Sequence, residues 1–424
     1  APVPVSGLPG AGQDSQSGDS VMNWNIRMLR PNILGLIAAA LLTAGVLGES
    51  SRAAEPSYSA WFKPAENSKR SWSFAEVEGD SYSLTIQRKQ AGPTEPRRRI
   101  MVLFPRRSSA YDIAMDQILQ VFEEKNIRAE FTLVNFDNDH ARGNKALQMA
   151  DQGGFDLVFS MGSQSTAWLW ENYRGGAVPV ISVCSKDPVV LGQARDYESG
   201  TGTNFAFTSL NMPIEVQMAY VLELKPNLKN LAILVNSQNI SAMQTQAKPI
   251  ADYARMSGIR VLEVDVEDPK HAGEELAYKV RDAVRTMRKN DPTLDSSVFW
   301  ITGSTAVFRE IRAINANSDR VPVLSVVPEV VKESEDSAVL SIGISFQSNA
   351  HLAAVYGADV LEGRAKVGDL KVGIVSPPDI AINFLKAREI GLEVPFSFFE
   401  SASFVYDYDG RLVRNNGKAV VPVN

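Results

Sequence analysis

Residues 381–405 read AINFLKAREIGLEVPFSFFESASFV. The stretch begins as an apolar strand, and from Asn383 it continues with the spacing of a helix that buries one face. Gly391 fits the left-handed stop after that helix, and Pro395 keeps the helix from continuing. Many α/β domains end a helix in this way, so the stop signal alone identifies no family.

The spaced pattern as a whole resembles the closing signature of one family of ABC-transporter substrate-binding proteins, which includes tryptophan- and tyrosine-type receptors. In that family a strand reading (I/V)N leads into xxAxxLGLxxPxxxxxxAxxV. The matching residues are Ile382, Asn383, Ala387, Ile390, Gly391, Leu392, Pro395, Ala402 and Val405. The resemblance implies the type I periplasmic binding protein fold. It also implies a receptor, not an enzyme, which closes on a small solute and docks on an inner-membrane permease.

The N-terminal region has the layout of a secretory signal peptide. Residues 1–21 contain no methionine, so Met22 is the predicted start. A short basic stretch, an apolar run at 33–47 and small residues up to Ala53 follow in order. A permanent membrane anchor is the alternative, but the run is shorter than the roughly 20 residues that a span needs. We expect cleavage after Ala53 and a periplasmic protein.

Charge and cysteine content exclude several classes of function. The formal net charge is −6, whereas a nucleic-acid partner would require a basic face. The single cysteine, Cys184, rules out an internal disulfide and a Cys-rich metal site. It ends an apolar run, so a small buried core residue is the expected role. We expect a monomer without cofactor or metal.

Residues 54–98 differ from the rest of the chain and lie outside the family resemblance. Alternating residues around Tyr82 and Leu84 predict a half-exposed strand in a small hairpin or a partly ordered arm. Glycine and proline at 92–96 predict a linker. Four aromatic residues either form a partner surface or cover the edge of the main domain, and covering the edge is favoured: Trp61, Phe62, Trp72 and Phe74.

From Ile100 onwards, short apolar runs alternate with segments of helical period, and the rhythm begins again near Leu231. Strands that are apolar on both faces and alternate with helices predict a parallel sheet between helices. We therefore predict two doubly wound α/β lobes joined by a multi-strand hinge. The predicted segments are the extension and signal peptide (1–53), the arm (54–98), lobe 1 (99–206 and 344–375), lobe 2 (207–343 and 376–405) and a C-terminal hairpin (406–424).

Ligands of open α/β sheets bind beyond the carboxyl ends of the strands. The residues that follow the predicted strands are therefore the candidate ligand contacts. In lobe 1 they are Arg106, Tyr111, Gly162, Ser163, Gln164, Ser165, Thr166, Ser185 and Asp187. In lobe 2 they are Asn236, Ser237, Asn239, Ser241, Gly303, Ser304, Thr305 and Glu329.

The segment 162–166 is the most informative of these. A strand, a glycine and a cluster of hydroxyl residues at a helix start favour binding of a carboxylate or phosphate. The unpaired N–H groups and the positive end of the helix dipole both lie at that N-terminus. Plain helix capping would need only one of the hydroxyls. Arg106 and Tyr111 either reach the ligand or stay local, and Asp187 either holds its own loop or faces the cleft. Ser109 with Asp112 and Ser241 with Gln244 have the spacing of capping boxes.

Relatives in the resembled family often place an acidic residue just after the last strand of lobe 2, where it pairs with an amino group. Here Val326, Val327 and Pro328 occupy the nearest positions, and Glu329 is the first charged residue. This departure weakens the case for an ordinary amino acid as ligand. A carboxylate-bearing organic solute is the first expectation, ahead of amino acids, peptide fragments and nucleobase-like compounds.

The sequence lacks several common catalytic and nucleotide-binding motifs. It has no Gly-x-Ser-x-Gly elbow, no Gly-x-Gly-x-x-Gly turn and no Walker loop, and its three histidines lie far apart. A regulator with similar lobes would need an N-terminal DNA-binding unit, where this chain has an export signal. The open alternative is a sensory receptor that hands its closed form to a membrane sensor kinase or chemoreceptor instead of a permease.

Overall fold

The computed structural model describes residues 56–90, 97–334 and 336–420, which belong to one compact unit. Two large β-sheets and a short two-stranded sheet organise this part of the chain. The predicted signal peptide and most of the predicted linker lie outside the described residues. Within the described ranges, no helix combines the length and the apolar character needed to cross a membrane.

The N-terminal arm forms a hairpin that extends the first sheet. Its elements are a 3-10 turn (Ser57–Ala60), α1 (Glu66–Ser71), β1 (Trp72–Val77) and β2 (Asp80–Arg88). The next strands of that sheet are β3 (Arg98–Phe104) and β4 (Ala129–Asn135), and β2 pairs antiparallel with β4. Trp61, Phe62 and Trp72 are at most 5% exposed. This confirms that the aromatic residues cover the edge of the main domain, where an unpaired strand would otherwise be open.

Lobe 1 is built on the seven-stranded sheet, in the order β1-β2-β4-β3-β5-β6-β7. Its strands from β3 onwards are parallel. Strands β5, β6 and β7 are buried on both faces, as the apolar runs predicted, whereas Glu130 and Thr132 of β4 are half-buried. The further elements are α2 (Ser109–Glu124), α3 (His140–Gln152), β5 (Leu157–Met161), α4 (Gly162–Tyr173), β6 (Val180–Val183) and β7 (Phe205–Ala206).

Lobe 2 repeats the arrangement on a nine-stranded sheet. After β8 (Thr208–Ser209) come α5 (Ile214–Leu224), β9 (Asn230–Asn236), α6 (Ile240–Ala242), a π turn (Met243–Ala247), α7 (Lys248–Met256), β10 (Arg260–Val266), α8 (Ala272–Met287), β11 (Ser297–Ile301), α9 (Thr305–Phe308), α10 (Ile311–Asn315), β12 (Val323–Ser325), a 3-10 turn (Pro328–Val330) and β13 (Leu340–Gly343). Strands β10, β9, β11, β12 and β13 are neighbours in that order and parallel.

The chain then returns to lobe 1 and crosses once more. The last elements are α11 (Phe346–Leu361), a 3-10 turn (Val367–Asp369), β14 (Gly373–Ile374), β15 (Asp379–Asn383), α12 (Phe384–Ile390), α13 (Phe396–Ser401), β16 (Phe404–Tyr406), β17 (Leu412–Asn415) and β18 (Lys418–Ala419). Helix α11 packs on α2 and β6, whereas β15 pairs antiparallel with β13. Gly391 adopts φ +69° at the end of α12, which confirms the left-handed stop.

Three chain crossings thus join the lobes, as predicted: after β8, between β13 and α11, and between β14 and β15. Strands β8 and β14 pair in parallel beside this hinge. Asn349 of α11 is fully buried, and its Oδ1 accepts hydrogen bonds from the Cys184 amide at 2.7 Å and the Thr208 hydroxyl at 3.2 Å. Cys184 is buried, in agreement with the expected core role.

Candidate functional site

A cleft lies between the lobes at the carboxyl ends of the strands. It contains an inner cavity of about 60 Å³ and an outer one of about 340 Å³. Both cavities are lined by loops after β3 and β5 in lobe 1 and after β9 in lobe 2. The residues common to both are Arg106, Ser163, Gln164, Asn239 and Ser241, all of them predicted contacts.

A larger groove of about 630 Å³ lies elsewhere, between α2, α11 and the chain near β15. Gln117, Gln347 and His351 line it, and Gln117 forms a hydrogen bond with each of the other two. None of the loops after β3, β5, β9 and β11 lines it, whereas loops at these carboxyl ends line the interlobe cleft, the place where ligands of such sheets bind. The smaller interlobe cleft is therefore the better candidate.

Helix α4 begins directly at the cleft. Gly162 adopts φ +76°, and a Cβ added there would lie 2.1 Å from the Tyr111 hydroxyl. The N-cap residue Met161 offers no side-chain acceptor. The first N–H groups of a helix have no intrahelical partner, so the turn at Ser163 and Gln164 presents free donors at the cleft. This is the geometry expected of an anion site.

Lys186 is the residue that sequence reasoning missed. It follows β6, is only 7% exposed and lines the inner cavity. Its backbone N–H donates to the Ser163 hydroxyl at 2.9 Å, and its ammonium reaches the Gly303 carbonyl of lobe 2 at 3.4 Å. Burial lowers the pKa of Lys186 to about 8. A lysine directly after a buried strand was the only signal available in the sequence.

Arg106 and Tyr111 lie at the cleft with different exposure. Arg106 is exposed and lines both cavities, whereas Tyr111 is buried and lines the inner one. Burial raises the pKa of Tyr111 to about 12, so its hydroxyl is a neutral donor. The cap of α2 is Ser108, which accepts from the Ala110 amide, so the predicted box of Ser109 and Asp112 was wrong.

Ser165 and Thr166 point into lobe 1 instead of the cleft. Both are fully buried, and both hydroxyls form hydrogen bonds with the Ser160 hydroxyl, at 2.9 and 3.1 Å. The Ser165 hydroxyl also donates to the Leu103 carbonyl at 3.2 Å. The helix turns by about 100° per residue, so Ser163, Gln164 and Ala167 reach the cleft while Ser165 and Thr166 face the interior of lobe 1.

Asp187 holds its own loop. Its Oδ1 accepts from the amides of Val189 and Val190 at 2.9 and 3.1 Å, and its Oδ2 accepts from the Tyr197 hydroxyl. Asp187 was predicted either to hold its own loop or to face the cleft, and these contacts favour the first role. Ser185 is buried as well and lines neither cavity.

In lobe 2 the predicted contacts divide into two groups. Asn236, Asn239, Ser241, Gly303 and Thr305 line the cleft. Asn239 caps α6 through the Ala242 amide, so the predicted cap at Ser241 was wrong.

The other lobe 2 contacts face the lobe itself. The Ser237 hydroxyl donates to the Val266 carbonyl at 3.1 Å. Ser304 is fully buried, and its hydroxyl accepts from the Asn236 amide and the Asn239 side chain at 3.4 Å each.

Glu329 lies at the hinge and lines neither cavity. Its Oε1 accepts from the Phe346 amide at 2.6 Å, at the start of α11, and its Oε2 is buried without a partner among the described residues. Burial raises the pKa of Glu329 to about 7, with a contribution from Asp379. Asp379 accepts from the neighbouring Ser345 amide at 2.9 Å. Two lobe 2 carboxylates therefore hold the helix that packs on lobe 1.

Apolar side chains complete the inner cavity. Leu210, Phe308 and Phe346 line it together with Tyr111, and the rings of Phe308 and Phe346 lie 6.4 Å apart. Within residues 56–90, 97–334 and 336–420, no cluster of three His, Cys, Asp or Glu side chains could hold a metal ion. The cleft can therefore hold a small solute with an apolar body and a polar or anionic end.

Comparisons with known proteins agree with this geometry. No family model matches the chain, and no curated protein does either. An ABC domain from Streptococcus pneumonia, solved in complex with L-Trp, is 19% identical and has a TM-score of 0.57 over 73% of this chain and 100% of its own. A conserved domain protein from Vibrio cholerae is 18% identical, with a TM-score of 0.57 over 73% and 99% of the two chains.

A substrate-binding protein with adhesive properties from Clostridium difficile, in its ligand-free, open form, is 17% identical, with a TM-score of 0.54 over 72% and 97% of the two chains. At these identities the likeness shows the fold alone. It confirms the predicted fold class of two hinged α/β lobes.

Proposed function

We propose that this chain, which has the type I periplasmic binding protein fold, is the solute receptor of an ABC importer. It captures a small, carboxylate-bearing organic compound between its lobes and delivers it to an inner-membrane permease. The observation that carries the proposal is the cleft itself, where Ser163 and Lys186 of one lobe and Gly303 of the other line a single cavity.

Capture by such a cleft needs no catalytic group. A solute that contacts both lobes only when they are closed adds its binding free energy to the closed state and shifts the population toward it. The three crossings between the sheets supply the hinge, and the free N–H groups of α4 supply the donors for a carboxylate. The permease then recognises the closed form.

A thermal-shift screen of the purified protein against a metabolite library tests the proposal, because a ligand of the native state raises the melting temperature. Small-angle scattering should show a smaller radius of gyration with each hit, and the hit should be recovered chemically unchanged. A chain that binds nothing, keeps one scattering curve throughout, or converts its hit into a product would overturn the receptor function.

Two hydroxyl variants on α4 form a matched pair for the location of the site. Ser163→Ala removes a hydroxyl that lines the cleft, whereas Thr166→Ala removes one that is buried within lobe 1. Ser163→Ala should weaken ligand affinity roughly 5- to 10-fold, the loss of about one hydrogen bond. Thr166→Ala should lower stability and leave affinity unchanged. The reverse result would place the ligand elsewhere.

Export is part of the proposal and rests on the basic, apolar and small-residue regions that precede Ala53. N-terminal sequencing of the protein recovered from the periplasm should give Ala54 as the first residue. Recovery of an uncleaved chain in the membrane fraction would support the anchored alternative.

A sensory receptor is the alternative, since the capture chemistry is the same and only the partner differs. Genes for a permease and an ATPase beside this one would favour transport, and a histidine kinase gene would favour sensing. Deletion of the gene should abolish uptake of the radiolabelled hit in the first case. In the second case, uptake is retained and the transcriptional response is lost.

A further inference from the structure

We propose that Lys186 makes the cleft selective for an organic acid that carries a carboxylate and no amine, such as a 2-oxo or 2-hydroxy acid, in place of an amino acid. The inference rests on the proposed function, because it names the ligand class of the same cleft. Three independent features of the cleft support it.

The first feature is a buried cation that lacks a counter-charge. Within the described ranges, no carboxylate forms an ion pair with the Lys186 ammonium, and its hydrogen bond goes to the Gly303 carbonyl at 3.4 Å. An ammonium has three donors, and a buried charge without a partner is costly. An anion in the cavity would compensate for this cost, and the depressed pKa of Lys186 shows that the cost is present.

The second feature is the positive charge of the other groups at the cleft. Arg106 lines both cavities, and α4 points its N-terminus at them. Helix N-termini and guanidinium groups both favour carboxylates. Together with Lys186 they make the potential of the cleft positive on the side of lobe 1.

The third feature is the lining residues themselves. Among the described residues that line the two cavities, none is an aspartate or a glutamate. The Asp187 carboxylate is held by its own loop, and the Glu329 carboxylate is held at the hinge. The ammonium of an amino acid would therefore lie near two cations without a carboxylate to pair with, which disfavours it.

Gln193 adds a polar contact that suits such a ligand. It is 5% exposed and lines the outer cavity, and its Oε1 is buried without a partner among the described residues. Since this oxygen only accepts hydrogen bonds, the hydroxyl of a 2-hydroxy acid can satisfy it, whereas a 2-oxo acid has no donor for it. Phe308 and Phe346 supply apolar surface to the inner cavity, against which the apolar part of the ligand can pack.

Matched pairs of compounds test the inference. Pyruvate, 2-oxoglutarate, 4-hydroxyphenylpyruvate and indole-3-pyruvate are compared with L-alanine, L-glutamate, L-tyrosine and L-tryptophan by calorimetry on the purified protein. At least one oxo acid should bind roughly 10-fold or more tightly than its amino acid. Lys186→Met should weaken that oxo acid by roughly 10- to 150-fold, the loss of a charge-assisted hydrogen bond.

Two variants control for folding and for charge. Lys186→Arg keeps the cation and should retain the preference for the oxo acid with intermediate affinity. Lys225 is a half-buried lysine that donates to the Asp295 carbonyl away from the cleft, and Lys225→Met should bind like the wild type. The melting temperature of ligand-free Lys186→Met should equal or exceed that of the wild type, because a buried charge has been removed.

The outcomes separate this inference from the receptor function. Equal or tighter binding of the amino acids, or an unchanged oxo-acid affinity in Lys186→Met, overturns the inference and leaves the receptor intact. If all hits in the wider library are zwitterions or neutral solutes, the inference is likewise overturned and the receptor function stands. Absence of any hit, together with an unchanged scattering curve, overturns the receptor function itself.

Discussion

The Tyr111 hydroxyl lies against the α-carbon of Gly162, so closely that a Cβ on that glycine would approach it to 2.1 Å. Gly162 also has φ +76°, a conformation that L residues other than glycine adopt at a cost. Two separate constraints thus require glycine at the start of α4. They fix the distance between the helix N-terminus and the loop that carries Arg106.

Gly162→Ala should therefore destabilise the protein by more than the cost of placing alanine at a positive φ. We expect about 1–2 kcal/mol from the positive φ and about 1–3 kcal/mol from the collision with Tyr111. The control is Gly175→Ala, since Gly175 has φ +84° with nothing within 4 Å of its added Cβ. Denaturant titration of both variants measures the difference. Equal losses in the two variants would show that the contact with Tyr111 is unimportant.

Much of the fold could be predicted because its determinants are local. Strands such as β5 and β9 are apolar on both faces, and their alternation with helices indicates a parallel sheet before any contact is known. The strand of the arm was predicted as well, since buried Leu84 and Ile86 alternate with half-buried Thr85, although the sequence left a hairpin and a partly ordered arm both open.

The candidate site could be predicted only in part, because side-chain direction and long-range contacts decide it. The strand ends pointed to Arg106 and Ser163, which both line the interlobe cavities, and ligand contact at either residue stays a prediction. The pattern could not show that Thr166 turns inward, since this depends on the phase of α4. The burial of Lys186 and the position of Glu329 at the hinge depend on the other lobe, which no local pattern describes.

The hinge carboxyl of Glu329 predicts a dependence of stability on pH. Its pKa is about 7 in the folded protein, against an ordinary value of 4.5. Between these pH values the folded state holds the proton more tightly than the unfolded state does. The free energy of unfolding therefore falls as the pH rises from about 4.5 to about 7, by about 1.4 kcal/mol for each unit of pKa difference.

Glu329→Gln should remove this slope, because the amide keeps an acceptor for the Phe346 amide and does not titrate. Exposed Glu400→Gln serves as the matched control and should retain the slope. Asp379, Cys184 and Tyr406 are titratable groups near Glu329, and all three are unchanged in either variant. Urea unfolding at several pH values measures the effect. Parallel curves for the wild type and Glu329→Gln would contradict the assignment.

The N-terminal arm should be an integral part of lobe 1. Trp72 is 1% exposed, and its ring meets Phe131 edge-on with centroids 5.7 Å apart. Trp72→Ala should cost about 3–5 kcal/mol, typical of a large aromatic side chain lost from a core. Tyr278→Ala, at a residue that is 61% exposed, should change stability by less than about 0.5 kcal/mol. Limited proteolysis of Trp72→Ala should cut the arm first, and uniform resistance would contradict the predicted role.

Asn349 should link the loop before Lys186 to the hinge. Its buried Oδ1 accepts from the Cys184 amide at 2.7 Å, and Cys184 itself adopts φ +54°. Asn349→Ala leaves that amide and the Thr208 hydroxyl without this acceptor, which should cost about 1–3 kcal/mol.

The same variant should also weaken ligand binding, because the loop that positions the Lys186 ammonium loses its support. Asn172→Ala is the control, since the exposed Asn172 side chain donates to the Trp168 carbonyl within α4. It should leave both stability and affinity nearly unchanged. Chemical denaturation and calorimetry with the best ligand, performed on both variants, check the two effects separately. A loss of stability without a loss of affinity would show that Asn349 supports the hinge alone, with no influence on the position of Lys186.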